Sequence, residues 1–313
     1  MKMLPLLAVD TTTDWLVLGV VGEEGWWARR AHARRAHQEI LFPELSSLLA
    51  EARLDIDDIR CVAVGIGPGS YTGMRIGITF AKTLGHAKDL PLVPVDSLET
   101  QALSVVVKRH NLADRGIFRA LIILDARRAR HYTAEYEFSI EHDVRAAEGP
   151  KNAAEQSAQQ REEHGAWPRA SQRTEQGRGQ YGERPAADRG MNDASGLDPC
   201  SLARALSVRV VKEPQALTKE EAISVAQRFV CAIEEDTARG RENIGARMFI
   251  ADERTQAVLP PDIAKHAEKP TFEAQALLAL GYMQALSGSM VGWEAIKAAY
   301  LRPSYAEEGE RHS

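Results

Sequence analysis

Compact apolar runs alternate with segments of helical spacing over the first hundred residues of the chain. Strands are predicted for the runs rich in branched and aromatic residues, namely residues 4–9, 15–21, 61–64, 92–95 and a run that opens at residues 26–27. Helices are predicted where leucine, alanine or glycine recurs every three or four positions, namely over residues 38–52, 72–87 and from about 97 to 109. Up to residue 95 the predicted order is therefore β-β-β-α-β-α-β.

The alternation resumes in the second half, where a polar segment interrupts it. Strands are predicted over residues 120–124, 132–138, 208–211 and 248–251, and helices over residues 218–239, 271–286 and 293–300. Residues 146–199 have almost no aliphatic side chains and cannot bury enough apolar surface to offset chain entropy. We interpret them as an exposed, largely disordered insertion.

The order of the first seven elements indicates the fold class. A β-β-β-α-β-α-β order is that of one ribonuclease-H-like lobe, and two such lobes form the actin-like superfold. The 313 residues are 44% hydrophobic, which is enough for a substantial core. We therefore predict an α/β protein of the actin-like (ASKHA) superfold, with a first lobe over residues 1–109 and a degenerate second lobe over residues 110–313.

Charge and cysteine usage limit the function classes. The net charge of −5 gives the chain no general attraction for nucleic acid, so any RNA contact requires a local patch or a partner. Residues 29–37 form one basic run, which we interpret as a solvated face, with a phosphate contact to tRNA as the alternative. Three widely spaced cysteines and the lack of any long apolar run lead us to expect a cytoplasmic protein without disulfides.

Residues 65–77 read Gly-Ile-Gly-Pro-Gly-Ser-Tyr-Thr-Gly-Met-Arg-Ile-Gly and join a predicted strand to a predicted helix. Two interpretations stay open for this loop: an anion site at a capped helix N-terminus, or a tight turn that serves geometry only. It is neither a P-loop nor a dinucleotide fingerprint, because the required spacings are absent. The candidate ligand residues in it are Gly67, Gly69, Ser70 and Thr72.

A second candidate element, residues 10–14, follows the first predicted strand and reads Asp-Thr-Thr-Thr-Asp. Nucleotide-binding proteins of the actin-like superfold hold phosphate and metal on an Asp-x-Gly-Thr turn at this place. Here a threonine replaces the glycine that would let phosphate approach the backbone. We therefore favour a structural role for Asp10 within its own turn over metal binding, and treat Asp10, Thr11 and Thr12 with the glycine-rich loop as a vestigial nucleotide-like site.

Small residues recur every four positions in the predicted helix over residues 72–87. They form a ridge of Gly73, Gly77, Ala81 and Gly85, and Met74 and Ile78 lie beside it. The pattern alone leaves open whether this face packs within the protein or forms a subunit interface.

Four motifs together resemble the TsaB (YeaZ-like) family. They are the Asp-Thr-rich turn after Leu7-Ala8-Val9, the Gly-Pro-Gly-Ser-Tyr-Thr-Gly-Met-Arg-Ile-Gly segment of residues 67–77, Asp125-Ala126-Arg127 with the nearby Tyr132, and Tyr300-Leu301-Arg302-Pro303. The resemblance is dense over residues 4–138, absent over roughly 145–205, and thin until the last few residues.

The resemblance implies a non-catalytic subunit of the bacterial machinery that forms N6-threonylcarbamoyladenosine (t6A) at position 37 of tRNA. It implies association with the catalytic paralogue TsaD and the ATPase TsaE, a possible homodimer, no cofactor, and contact with tRNA through the complex. It also implies an interface built from the first two helices. The interface residues that this implication selects are Leu41, Leu45, Leu48, Gly73, Met74, Gly77, Ile78, Ala81 and Gly85.

Two rival functions belong to other classes. An actin-like ATPase or kinase would use Asp10 and the loop of residues 67–72. A metallopeptidase would need a metal-binding motif such as His-x-x-x-His. His32 and His37 are five residues apart, about 500° of helical rotation, so one helix face does not present both. The absence of this motif makes the metallopeptidase the weaker rival.

Overall fold

Two five-stranded mixed sheets, with helices on their faces, make up the structure, a computed structural model that describes residues 3–109, 116–141, 198–239 and 246–301. The first sheet has the order β3-β2-β1-β4-β5. Its strands are β1 (Leu6–Asp10), β2 (Trp15–Val21), β3 (Trp26–His32), β4 (Cys61–Gly67) and β5 (Leu92–Asp96). The helices between and after them are α1 (His37–Glu51), α2 (Tyr71–Lys88) and α3 (Ser97–Arg109). The predicted order of elements in this half is confirmed.

The second sheet repeats this topology with weaker elements. Its strands are β6 (Gly116–Asp125), β7 (Arg130–Ile140), β8 (Leu206–Thr218), β9 (Arg247–Ala251) and β10 (Ala267–Glu268). Its helices are α4 (Pro199–Ala205), α5 (Lys219–Ala238), α6 (Glu253–Gln256), α7 (Pro261–Ala264) and α8 (Ala274–Leu286). In both sheets the first strand is central, pairs antiparallel with the second and parallel with the fourth. The 18-residue α2 of the first lobe has only two four-residue helices as its counterpart, which is the predicted degeneracy.

Helix α8 packs against the first sheet although it follows the second sheet in the chain. Leu278 fills the space above Gly19 of β2, and Gly281 lies against Ala63 of β4. Ten of its thirteen residues are buried, which explains why its sequence has no polar face. The boundary that we predict between the lobes precedes residues 110–115, which lie outside the described part of the chain.

Three predictions outside the site need correction. The helix predicted over residues 293–300 is wrong: the chain makes a turn there and runs along the first sheet, where the Ala299 N–H donates to the Ile66 carbonyl at 2.8 Å. The predicted insertion ends earlier than residue 199, because Asp198 caps α4 and Pro199 is buried; residues 146–197 lie outside the described residues. Arg29 of the basic run is not solvated, since it is buried in β3 and pairs with Glu51.

Candidate functional site

Asp10, at the end of β1, is completely engaged by its own turn and by α3. Its Oδ1 accepts from the Thr12 N–H at 2.6 Å and from the Thr12 hydroxyl at 2.7 Å, and its Oδ2 accepts from the Ser97 hydroxyl at 2.7 Å. Burial raises the pKa of this carboxyl despite the three hydrogen bonds. The favoured structural interpretation of Asp10 therefore agrees with its contacts.

The glycine-rich loop closes over this turn. The Ser70 N–H donates to the Thr12 carbonyl at 2.7 Å, and the Ser70 hydroxyl caps α2 by accepting from Gly73 N–H. A side chain at Gly69 would overlap the Thr12 carbonyl, and one at Gly65 would overlap the Asp10 carboxylate. Gly67 has φ +103°, a conformation that favours glycine. These glycines allow the loop to lie in direct contact with the turn, because a larger side chain would not fit between them.

Thr11 joins the Asp10 loop region to the N-terminal part of α2 through two hydrogen bonds. Its hydroxyl donates to the Gly73 carbonyl at 2.7 Å and accepts from the Gly77 N–H at 3.0 Å. Gly73 lies directly against the Thr11 carbonyl, where a Cβ atom would have no room. These contacts hold the turn directly against the loop and the start of α2.

The substitution Gly73→Ala is expected to destabilise the protein by about 2–3 kcal/mol, because the new methyl group would have to displace backbone rather than a flexible side chain. Thermal or urea unfolding measures the effect. Gly22→Ala is the matched control, since the nearest atom to a Cβ there is 3.8 Å away, and it should change the stability little. Equal stability of the two variants would contradict the close packing of loop and turn.

The nine residues selected for an interface are all buried within the chain. Leu41, Leu45 and Leu48 of α1 pack with Met74, Ile78 and Ala81 of α2 in the core on the outer face of the first sheet. The glycines of the ridge are buried as well. In this structure these side chains face their own sheet and are not available to a partner, which supports the alternative of ordinary burial.

An aromatic pair lies on the outward face of the same two helices. Phe42 is 62% exposed, and its ring meets that of the half-buried Phe80 edge-on, with centroids 5.9 Å apart. Phe42 directly follows Leu41 and therefore lies off the leucine stripe. The sequence signal for this surface was an aromatic residue on the polar side of an amphipathic helix. The leucine spacing that selected the interface residues does not include it.

A second feature that the sequence did not reveal is a buried acidic pair at the start of α3. Asp96 caps the helix by accepting from Leu98 and Glu99 N–H at 2.7 and 2.9 Å, and Tyr136 of the other lobe donates to it at 3.1 Å. Among the described residues no cation forms an ion pair with either acid. Burial raises the pKa of Asp96 to about 6 and, with the charge of Asp96, raises the pKa of Glu99 to about 8.

A cleft of about 1510 Å³ lies between the lobes. It is lined by the two candidate loops and, from the second lobe, by residues of the Asp125-Ala126-Arg127 motif and by Tyr132. Tyr300 and Leu301 also line it, so the four motifs that carry the resemblance meet around one cleft. Within the described ranges, no group of three or more His, Cys, Asp or Glu side chains could hold a metal ion. In the same part of the chain, no helix combines the length and apolarity needed to cross a bilayer.

Known proteins similar to this chain are found both by sequence and by structure. Residues 31–173 match the family model described as TsaD: tRNA N6-adenosine threonylcarbamoyltransferase. The tRNA threonylcarbamoyladenosine biosynthesis protein TsaB of Bacillus subtilis is 37% identical over 136 residues, covering 42% of this chain and 55% of that protein. TsaB of Escherichia coli is 33% identical over 132 residues, covering 42% of this chain and 54% of that protein.

A crystal structure from Pseudomonas aeruginosa, of an uncharacterized protein with similarity to peptidase YEAZ, superposes with a TM-score of 0.55 and 17% identity. It covers 95% of this chain and 99% of that chain, so the fold extends over both lobes. The chain is similar in sequence to TsaB proteins and in fold to a YeaZ-like structure. The actin-like α/β fold predicted from the order of elements is thereby confirmed.

This similarity does not by itself fix the activity of the whole chain. The chain spans about half the length of the curated relatives that it matches. The assignments of individual site residues therefore rest on the contacts described above.

Proposed function

We propose that this protein is a non-catalytic, cytoplasmic subunit required for t6A modification of tRNA, and that it stabilises and positions a TsaD-type catalytic paralogue. The observation that carries the proposal is the closed contact between the Asp10 turn and the glycine-rich loop. Its hydrogen bonds engage the Asp10 carboxylate and join the turn to the loop, which argues against a working phosphate and metal site there. The B. subtilis and E. coli relatives are named as t6A biosynthesis proteins, which supports the pathway.

The same contacts argue against the rival actin-like ATPase or kinase. A metal ion near Asp10 would have to compete with three protein donors for a carboxylate that is only 1% exposed. Losing those contacts would also release the turn from Ser97 of α3. The proposal therefore includes no nucleotide cofactor.

The proposed partner surface is the outward face of α1 and α2, centred on Phe42 and Phe80. An exposed aromatic ring packed against a second ring is the kind of feature that forms an interface hot spot when a partner covers it. We propose that a TsaD-type chain of like fold covers this face, that a second copy of this chain covers it when TsaD is absent, and that a TsaE-type ATPase joins the assembly. This replaces the buried residues that the sequence selected.

Depletion and rescue test the proposed function. Depleting the protein in its own cells should lower the t6A content of total tRNA, measured by mass spectrometry of nucleosides, and re-expression should restore it. A tagged copy should co-purify the TsaD-type paralogue. Unchanged t6A after complete depletion would contradict the proposal, and tight ATP binding lost on Asp10→Ala would favour the rival.

A further inference from the structure

Charged and aromatic side chains that the proposed function does not use line the cleft between the lobes. Its volume of about 1510 Å³ exceeds the roughly 300–1,000 Å³ typical of a small-molecule pocket. Both lobes contribute to it. Such a cleft is suited to an extended ligand that lies along the walls.

The residues that line the cleft carry more positive than negative formal charge. Seven arginine and lysine side chains and five carboxylates line it. Three of the carboxylates are held in ion pairs by Arg109, Arg254 and Lys269, and Asp252 caps α6. Arg34 and Lys108 are exposed and form no ion pair with any described residue, and among the lining acids Asp14 and Asp252 form none there. This excess of positive charge among the lining residues favours an anionic ligand, although the whole chain carries a net charge of −5.

Exposed aromatic rings flanked by arginine lie along the cleft. Tyr71 and Tyr300 are each 50% exposed, with ring centroids 5.3 Å apart and planes tilted by 31°. The guanidinium of Arg75 lies 5.5 Å from the Tyr71 ring centroid. Trp15 is 36% exposed, and the Arg30 guanidinium lies 4.8 Å from its ring centroid. Rings held open to solvent beside guanidinium groups form the stacking platform that unpaired bases use.

We infer that this cleft binds single-stranded RNA, with bases stacked on Tyr71, Tyr300 and Trp15 and phosphates near Arg34 and Lys108. The inference rests on the proposed role in tRNA modification, because it identifies the surface of this subunit that would contact an unpaired segment of the RNA. An acidic peptide would use the cations but would have little use for exposed rings. RNA therefore fits both features better.

Fluorescence anisotropy with a labelled single-stranded oligouridylate tests the aromatic part of the site, with the full chain alone and in complex with its TsaD-type paralogue. Tyr71→Ala/Tyr300→Ala is expected to weaken binding at least about tenfold, the effect of losing a stacked base. Tyr71→Phe/Tyr300→Phe retains both rings and should bind like the wild type. Equal binding by the alanine and phenylalanine pairs would overturn the inference.

The salt dependence of binding tests the charged part. Arg34→Ala and Lys108→Ala should each reduce the slope of log affinity against log salt concentration by about 0.7, the value for one phosphate contact on a single strand. Arg228→Ala, an exposed arginine of α5 that does not line the cleft, should leave the slope unchanged. A slope that none of the three changes would contradict the assignment.

Two further results would overturn the inference about the cleft, and the t6A rescue experiment shows separately whether the proposed function holds. One is the absence of RNA binding by the wild-type chain and by its complex. The other is stronger binding of polyglutamate than of RNA, unaffected by the tyrosine variants, which would assign the cleft to an acidic peptide. If t6A rescue succeeds in either case, the proposed function stands and only the cleft assignment fails. If wild-type rescue fails, the proposed function fails whatever the RNA measurements show.

Discussion

Replacing Leu45 by glutamate is expected to unfold the protein, whereas replacing Phe42 by glutamate should leave it folded and unable to hold its partner. Leu45 is 5% exposed and faces the first sheet, so a carboxylate there would be buried without a cation. Such a charge costs several kcal/mol, a large part of typical domain stability of about 5–15 kcal/mol. Phe42 projects outward and is already exposed to water, so the same substitution places the charge in solvent.

Circular dichroism and size-exclusion chromatography with the TsaD-type paralogue measure these two outcomes. Phe42→Glu should retain the wild-type spectrum and weaken association at least about thirtyfold, the loss expected for a central aromatic anchor. Ser46→Glu is the matched control, because it places the same charge at another exposed position of α1. A folded Leu45→Glu variant that fails to bind would restore the interface first selected from the sequence. A Phe42→Glu variant that binds normally would contradict the outward face as the partner surface.

Glu99→Gln is expected to make the stability of the protein much less dependent on pH. The pKa of Glu99 is raised from an ordinary 4.5 to about 8 by burial and by the charge of Asp96. The folded state therefore binds more protons than the unfolded state between these values, and stability falls as pH rises through that window. The loss between pH 5 and pH 8 should be on the order of 3 kcal/mol for this group, and glutamine should remove most of it.

Urea unfolding at a series of pH values between 5 and 8 measures the effect. Part of the slope should persist in Glu99→Gln, because burial also raises the pKa of Asp96, to about 6, and that of Asp10. Glu220→Gln, on the exposed first turn of α5, should retain the wild-type profile. Parallel profiles for wild type and Glu99→Gln would show that the Glu99 carboxyl does not remain protonated in the folded protein.

Local sequence signals were sufficient for most elements of the first lobe. Branched and aromatic runs defined the strands, since each is buried on both faces or at its centre, and α2 begins one residue before its predicted start. The helix predicted from residue 218 begins with a capping box of Thr218 and Glu221, a local signal because both of its hydrogen bonds join residues three apart. The Asp10 turn belongs to the same class, since its contacts with Thr12 span two residues.

The sequence by itself therefore determined the order of strands and helices in the first lobe, the fold class and the glycine-rich turn. Only the tertiary structure decided which face of α1 and α2 is buried, because a helical stripe looks the same whether it meets its own sheet or another chain. It also decided that the glycines of the loop accommodate Thr11 and Thr12, contacts between residues about sixty positions apart. Trp15, Tyr71 and Tyr300 meet around one cleft for the same reason: separation along the chain carries no information about proximity once two sheets have packed.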